Sequence, residues 1–102
     1  MPQEFTNGNI RVTVIDIVGG DPPVSIEKRL ERLELEVQNT GLNALYLGRT
    51  ANTSADNGYP LAPMSAAGAF DGGRFKTTKF NGTMFFYADI NTQVRIVEVG
   101  IM

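Results

Sequence analysis

Between residues 32 and 48 the chain alternates between apolar and polar positions. Leu33, Leu35 and Val37 interleave with Glu34, Glu36 and Gln38, which predicts an extended segment with one apolar face and one wet face. Asn39-Thr40-Gly41 breaks the pattern, and Leu45 and Leu47 then alternate with Ala44, Tyr46 and Gly48 in a second short strand, so the run reads as a sheet-building hairpin. Upstream, Ile10, Val12 and Val14 alternate with Arg11 and Thr13, and Ile15, Ile17 and Val18 thicken the apolar content. This predicts a β-branched strand over 10–18, buried on both faces or bulged near Asp16. Gly19-Gly20-Asp21-Pro22-Pro23 ends it, since this run suits neither a helix interior nor a central strand. Downstream, a short basic strand is predicted over 74–80, with a hairpin signal at Asn81-Gly82. Strands over 83–88 and 93–99, joined by the polar turn Asp89-Ile90-Asn91-Thr92, close the fold. The last has Val94 and Ile96 on one face and Val97 and Val99 on the other, which predicts a central position.

One stretch carries a competing period. Ile26, Leu30, Leu33 and Val37 fall at helical offsets, but Leu35 would then oppose Leu33 and Val37, so the second half is read as strand and a single short helical turn is placed at 25–30. Residues 49–69 are rich in Asn, Thr, Ser, Ala, Gly and Pro and poor in core-sized groups. A surface excursion of this length is the leading contact region, because long unstructured loops are uncommon and tend to be functional. Residues 1–9 hold Phe5 and the turn dipeptide Asn7-Gly8, and are read as an extended N-terminal arm. The expected fold is all-β: a small antiparallel β-sandwich or jelly-roll-like barrel in a single domain over 10–102.

Composition narrows the picture. A chain of 102 residues with 42% apolar residues has room for one core. A net charge of −2 gives no polyanion-binding surface. With no cysteine, neither disulfides nor thiolate metal sites are open to it, so stability must come from the sheet core, from partner subunits, or from both. The N-terminus lacks a basic stretch followed by an apolar run, and no apolar run of about 18 residues occurs. Neither a signal peptide nor a membrane span is expected, and synthesis in a cytosol is.

The candidate chemistry is thin. The absence of histidine removes the commonest general base, the imidazole ligand and Ser-His pairs. Asp16, Asp21, Asp56, Asp71 and Asp89 mostly sit beside turn residues and read as turn formers. A Ca²⁺ site at Asp56 and Asn57 lacks the D-x-D-x-D-G run. Gly19-Gly20 and Gly72-Gly73 lack phosphate-binding spacing and read as turns. Arg74, Lys76 and Lys79 interleave with Phe75 and Phe80 as in single-strand nucleic-acid binders, but three cations on a slightly acidic chain favour a solvated strand with Phe75 inward. The reading is therefore non-enzymatic, with no cofactor, no metal and no nucleic-acid or membrane partner.

The order L-x-L-x-V-Q-N-x-G-x-N-A-L-Y-L-G, then N-G-Y-P-L-A-P, then V-R-I-V-E-V-G resembles small structural proteins of tailed bacteriophages. The likeness covers about two fifths of the chain. The chain departs from it at Met64-Ser65-Ala66-Ala67, where a Pro-Gly turn is usual, and in its longer 10–18 strand with a preceding arm. The resemblance implies a capsid decoration or cement protein, made in the host cytoplasm and carried on the virion, that binds the major capsid protein lattice as a homo-oligomer. Under that reading Tyr59, Leu61 and Met64 are apolar anchors, Arg49, Arg74 and Lys76 are rim charges, and Phe5 is the arm's apolar contact. The rival expectations are a head–tail or tail adaptor subunit and a carbohydrate- or receptor-binding module stacking on Tyr59, Tyr87 or Phe86. The lack of tryptophan counts against the last.

Overall fold

A computed structural model describes residues 10–27, 32–78 and 82–100. The arm at 1–9, Phe5 included, lies outside the described residues. Eight strands follow in chain order: β1 (Ile10–Ile17), β2 (Val24–Ile26), β3 (Arg32–Asn39), β4 (Leu45–Gly48), β5 (Tyr59–Leu61), β6 (Arg74–Thr77), β7 (Met84–Tyr87) and β8 (Thr92–Gly100). They form two four-stranded sheets, ordered β1-β8-β3-β6 and β2-β7-β4-β5, with every pairing antiparallel. Strand 1 pairs with 8, 2 with 7, 3 with 6 and 4 with 5, so the chain is one long hairpin with its tip between β4 and β5. Rolling that hairpin adds the pairings β3·β8 and β4·β7, and the result is a jelly roll.

The core lies between the sheets. Leu35 and Val37 of β3, Leu45 and Leu47 of β4, Phe86 of β7, and Val94 and Ile96 of β8 are all buried. Each such side chain contributes roughly 1.5–3 kcal/mol of transfer free energy. β8 is central, between β1 and β3, as its two apolar faces predict.

The rolled topology corrects several expectations. Residues 32–48 do not make a hairpin, because β3 and β4 belong to different sheets. The same holds for β6 and β7 around Asn81-Gly82, where Asn81 lies outside the described residues. β4 and β5 are the one consecutive pair of strands that are hydrogen-bonded neighbours among the described residues. No helical turn begins at Ser25: Val24–Ile26 is extended and pairs with β7, while 28–31 lie outside the described residues. β1 is an edge strand whose outer face is open, with Val12 and Val14 exposed. Its β-branched residues report a fit to a pleated surface and not burial on both faces. A register shift between Arg32 and Glu34 leaves Leu33 as the extra residue and breaks the alternation at its first member. Leu33 is therefore exposed, and Arg32 is buried in its place. The basic strand ends at Thr77, and the excursion over 49–69 returns to the sandwich as edge strand β5, burying Leu61, Met64 and Thr53.

Candidate interaction site

The connections after β1, β3, β5 and β7 gather at one end of the roll, and hydrogen bonds lock them together. Asn39, fully buried at the end of β3, donates from Nδ2 to the carbonyls of Asn43 (2.9 Å) and Leu61 (3.1 Å). Its Oδ1 accepts from the Gly41 N–H at 3.0 Å and lies 2.9 Å from the Thr92 hydroxyl. The Met64 N–H donates to the Gly41 carbonyl at 2.9 Å. Gly41 is demanded by packing, since a Cβ there would collide with Thr92. Asn91 joins two further connections: its carbonyl accepts from Asn43 Nδ2 (2.8 Å) and its Oδ1 from the Gly19 N–H (2.7 Å). The N-x-G-x-N motif is thus a structural brace. On the loops so braced stand Val18, Leu42 and Ile90, exposed at 52%, 54% and 64%. Burying three large apolar groups braced in this way costs little further ordering.

A second feature lies on the flank where β5 and β6 face each other across the open side of the sandwich. It is a cleft of about 440 Å³ lined by Leu47, Arg49, Tyr59, Phe75 and Met84 among others. Tyr59 is exposed and its ring meets Phe75 at 5.4 Å and 59°, an edge-inclined aromatic contact. The Asn57-Gly58 turn sets it there. Asn57 Oδ1 accepts from the Ser54 N–H (2.9 Å), its Nδ2 donates to the Asn52 carbonyl (3.1 Å), and the Gly58 N–H donates to the Ser54 carbonyl (2.8 Å). Pro60 is tolerated because β5 is an edge strand.

The predicted contact residues thus divide. Arg49 and Tyr59 share the cleft. Arg74 and Lys76 lie on the exposed positions of β6, where Lys76 Nζ pairs with Glu34 at 2.9 Å. The hydrogen bond and charge of that carboxylate push the Lys76 ammonium above its ordinary value. Leu61 and Met64 are buried and cannot be exposed anchors. Alternation did not single out Val18, Leu42 or Ile90, since isolated apolar residues in turns carry no period. Phe70 was likewise missed. Its φ of 53° is unusual for a non-glycine residue, its carbonyl accepts from Gln38 Nε2 at 2.9 Å, and Arg95 lies 5.5 Å from its ring centre. Among the described residues no group of three or more carboxylate, imidazole or thiol side chains is placed to hold a metal. Comparison with protein-family models, curated proteins and solved structures finds no match to this chain.

Proposed function

We propose that this protein is a non-enzymatic capsid decoration or cement subunit, working by docking on an assembled head lattice as a homo-oligomer on the virion. The observation that carries the reading is the braced apolar end of the roll: Val18, Leu42 and Ile90 stand exposed on connections held together through Asn91. A lattice-binding part needs anchors that are rigid before contact, because ordering costs are then largely met in the free protein. Two further points support it. Asn39, Gly41 and Asn43 of the phage-like motif take part in the brace, and the jelly roll is an architecture used by viral capsid domains, although fold alone does not dictate function.

The test is co-sedimentation of the purified protein with assembled heads, comparing the native chain with the double variant Leu42→Glu, Ile90→Glu. The expected outcome is retention of the native chain on heads and a loss of affinity of at least about 100-fold in the variant, with the thermal midpoint preserved. Equal retention of both chains would remove the braced end from the interface, and failure of the native chain to bind heads would remove the reading itself.

A second reading, a carbohydrate- or receptor-binding module, is favoured by the exposed Tyr59 ring beside a cleft that also presents Arg49, and lectin domains share the jelly roll. Retention on a glycan surface, lost in Tyr59→Ala, separates it from lattice docking.

A further inference from the structure

The flank opposite the cleft, where edge strands β1 and β2 face each other, has two demands at one place that no described residue meets. The first is the backbone edge of β1. The Thr40 N–H donates to the Gln93 carbonyl at 2.8 Å and the Asn39 N–H to the Gly73 carbonyl at 2.9 Å. Odd-numbered residues of β8 therefore bond β3 and even-numbered ones face β1, since alternate residues of an antiparallel strand direct both polar groups to one side. The register pairs Val94 with Ile15, Ile96 with Thr13 and Glu98 with Arg11, so the odd residues of β1 bond β8. The N–H and C=O groups of Ile10, Val12, Val14 and Asp16 point away from the sheet. Beside them the side chains of Ile10, Val12 and Val14 form an exposed apolar row. A long apolar edge without proline is a template for another strand.

The second demand is a charge. Arg11 points inward, its side chain only 10% exposed. Its Nε lies 3.8 Å from Glu98 Oε1, but among the described residues neither Nε nor Nη1 finds a hydrogen-bond partner. Glu98 is engaged by Arg32, whose Nε donates to Oε2 at 2.8 Å. Arg32 also donates to the carbonyls of Gly82 (3.0 Å) and Glu27 (2.8 Å). Two guanidinium groups therefore share one buried carboxylate, and Arg11 has the weaker hold. It opens on a cavity of about 330 Å³ lined also by Thr13, Ile15, Ser25, Ile26 and Glu27, room for two side chains. Glu27, on the rim, is exposed.

We infer that β1 is the acceptor for an extended segment of a partner protein that carries an acidic residue. Added along the free edge, such a strand alternates as β1 does. One side chain enters the cavity level with Arg11, and its sequence neighbour turns outward beside the Val12 and Val14 row. A carboxylate in the inward position draws the Arg11 guanidinium toward it, so that the buried, unsatisfied Nε–H and Nη1–H turn to the cavity, a charge-assisted pairing that a neutral residue cannot match. The backbone of the new strand satisfies the outward groups of Val12 and Val14. Charge complementarity and free edge thus select the same occupant. This inference does not rest on the virion reading: binding to heads reports on that one and the peptide titration below on this one.

The test is a nuclear magnetic resonance titration of the full chain with a capped seven-residue peptide of alternating threonine and valine bearing a central glutamate, against its glutamine twin. Expected are shifts of the β1 amides and of the Arg11 Nε–H with the glutamate peptide, and binding about tenfold or more weaker with the twin. Arg11→Met is expected to abolish the difference between the peptides. Val12→Pro removes an outward N–H without touching a bond to β8 and is expected to abolish binding of both, so the proposal stays testable should Arg11→Met not fold. Unmoved β1 amides, equal binding of the two peptides, or undiminished binding to Val12→Pro would overturn it. Self-association of the chain alone, lost in Val12→Pro, would overturn the partner by assigning the edge to a second copy.

Discussion

Asn39 ties several parts of the fold together through one buried side chain. Its amide bonds two carbonyls and its oxygen serves Gly41 and Thr92, so it joins the ends of β3, β5 and β8 at the point where the chain changes sheets. Asn39→Leu keeps the branched skeleton, adds bulk at a fully buried position, and leaves those buried partners unpaired. The expected loss is about 2–4 kcal/mol of unfolding free energy, read from urea denaturation, and a change within error would show that water replaces the amide. Arg32, Glu98 and Arg11 form a further buried polar cluster. Removing one member of such a cluster is costly because it strands the rest, whatever the intact cluster contributes. Arg32 can hold the inward position that the alternation had assigned to Leu33 because Glu98 and the carbonyls of Gly82 and Glu27 meet its guanidinium there.

At the scale of elements, the connections decide more than the strands. The segment between β5 and β6 is stapled by Asp71, whose carboxylate accepts from the Ser65 hydroxyl at 2.6 Å and the Ser65 N–H at 2.9 Å. These bonds, the hydroxyl's first, hold the Asp71 carboxyl below its ordinary value of 3.8. A depressed folded value means that the staple contributes at all pH above the ordinary carboxylate range and is lost as pH falls through the lower, folded value. The Ser65 amide resonance is therefore expected to stay constant from neutral pH down to that range and to move below it, whereas in Asp71→Asn it stays flat. A shift of the native resonance near neutral pH would contradict the staple. Asp16, within β1, accepts instead from Gln93 Nε2 of the paired strand at 3.0 Å, and Asp89 accepts from the Tyr87 hydroxyl at 3.0 Å, so neither side chain bonds a nearby turn amide as the sequence suggests.

For the whole molecule, the contrast between Tyr59 and Leu61 separates interface from core. They sit two residues apart on β5, yet one is exposed at 56% and the other at 3%. Leu61→Ala is expected to lower unfolding free energy by about 2–5 kcal/mol. Tyr59→Ala is expected to leave the thermal midpoint nearly unchanged and to weaken head binding by roughly 1–3 kcal/mol if the cleft joins the interface, read by sedimentation with heads. The reverse pattern would place Tyr59 in the fold and Leu61 at the surface. Both residues were equivalent anchors when read along the chain, because a three-residue edge strand is too short to display a period. The alternation of Leu35–Val37, Leu45–Leu47 and Val94–Ile96 was enough to determine an all-β chain, its core faces and a central last strand, since period two is a local property of the pleat. Which strands pair, that β1 lies at an edge, that Leu33 is bulged outward, and that Val18, Leu42 and Ile90 stand exposed on connections bonded to one another were decided only by the rolled tertiary structure. Those outcomes depend on contacts between residues dozens of positions apart, and no local pattern of side chains encodes which distant strand will arrive alongside.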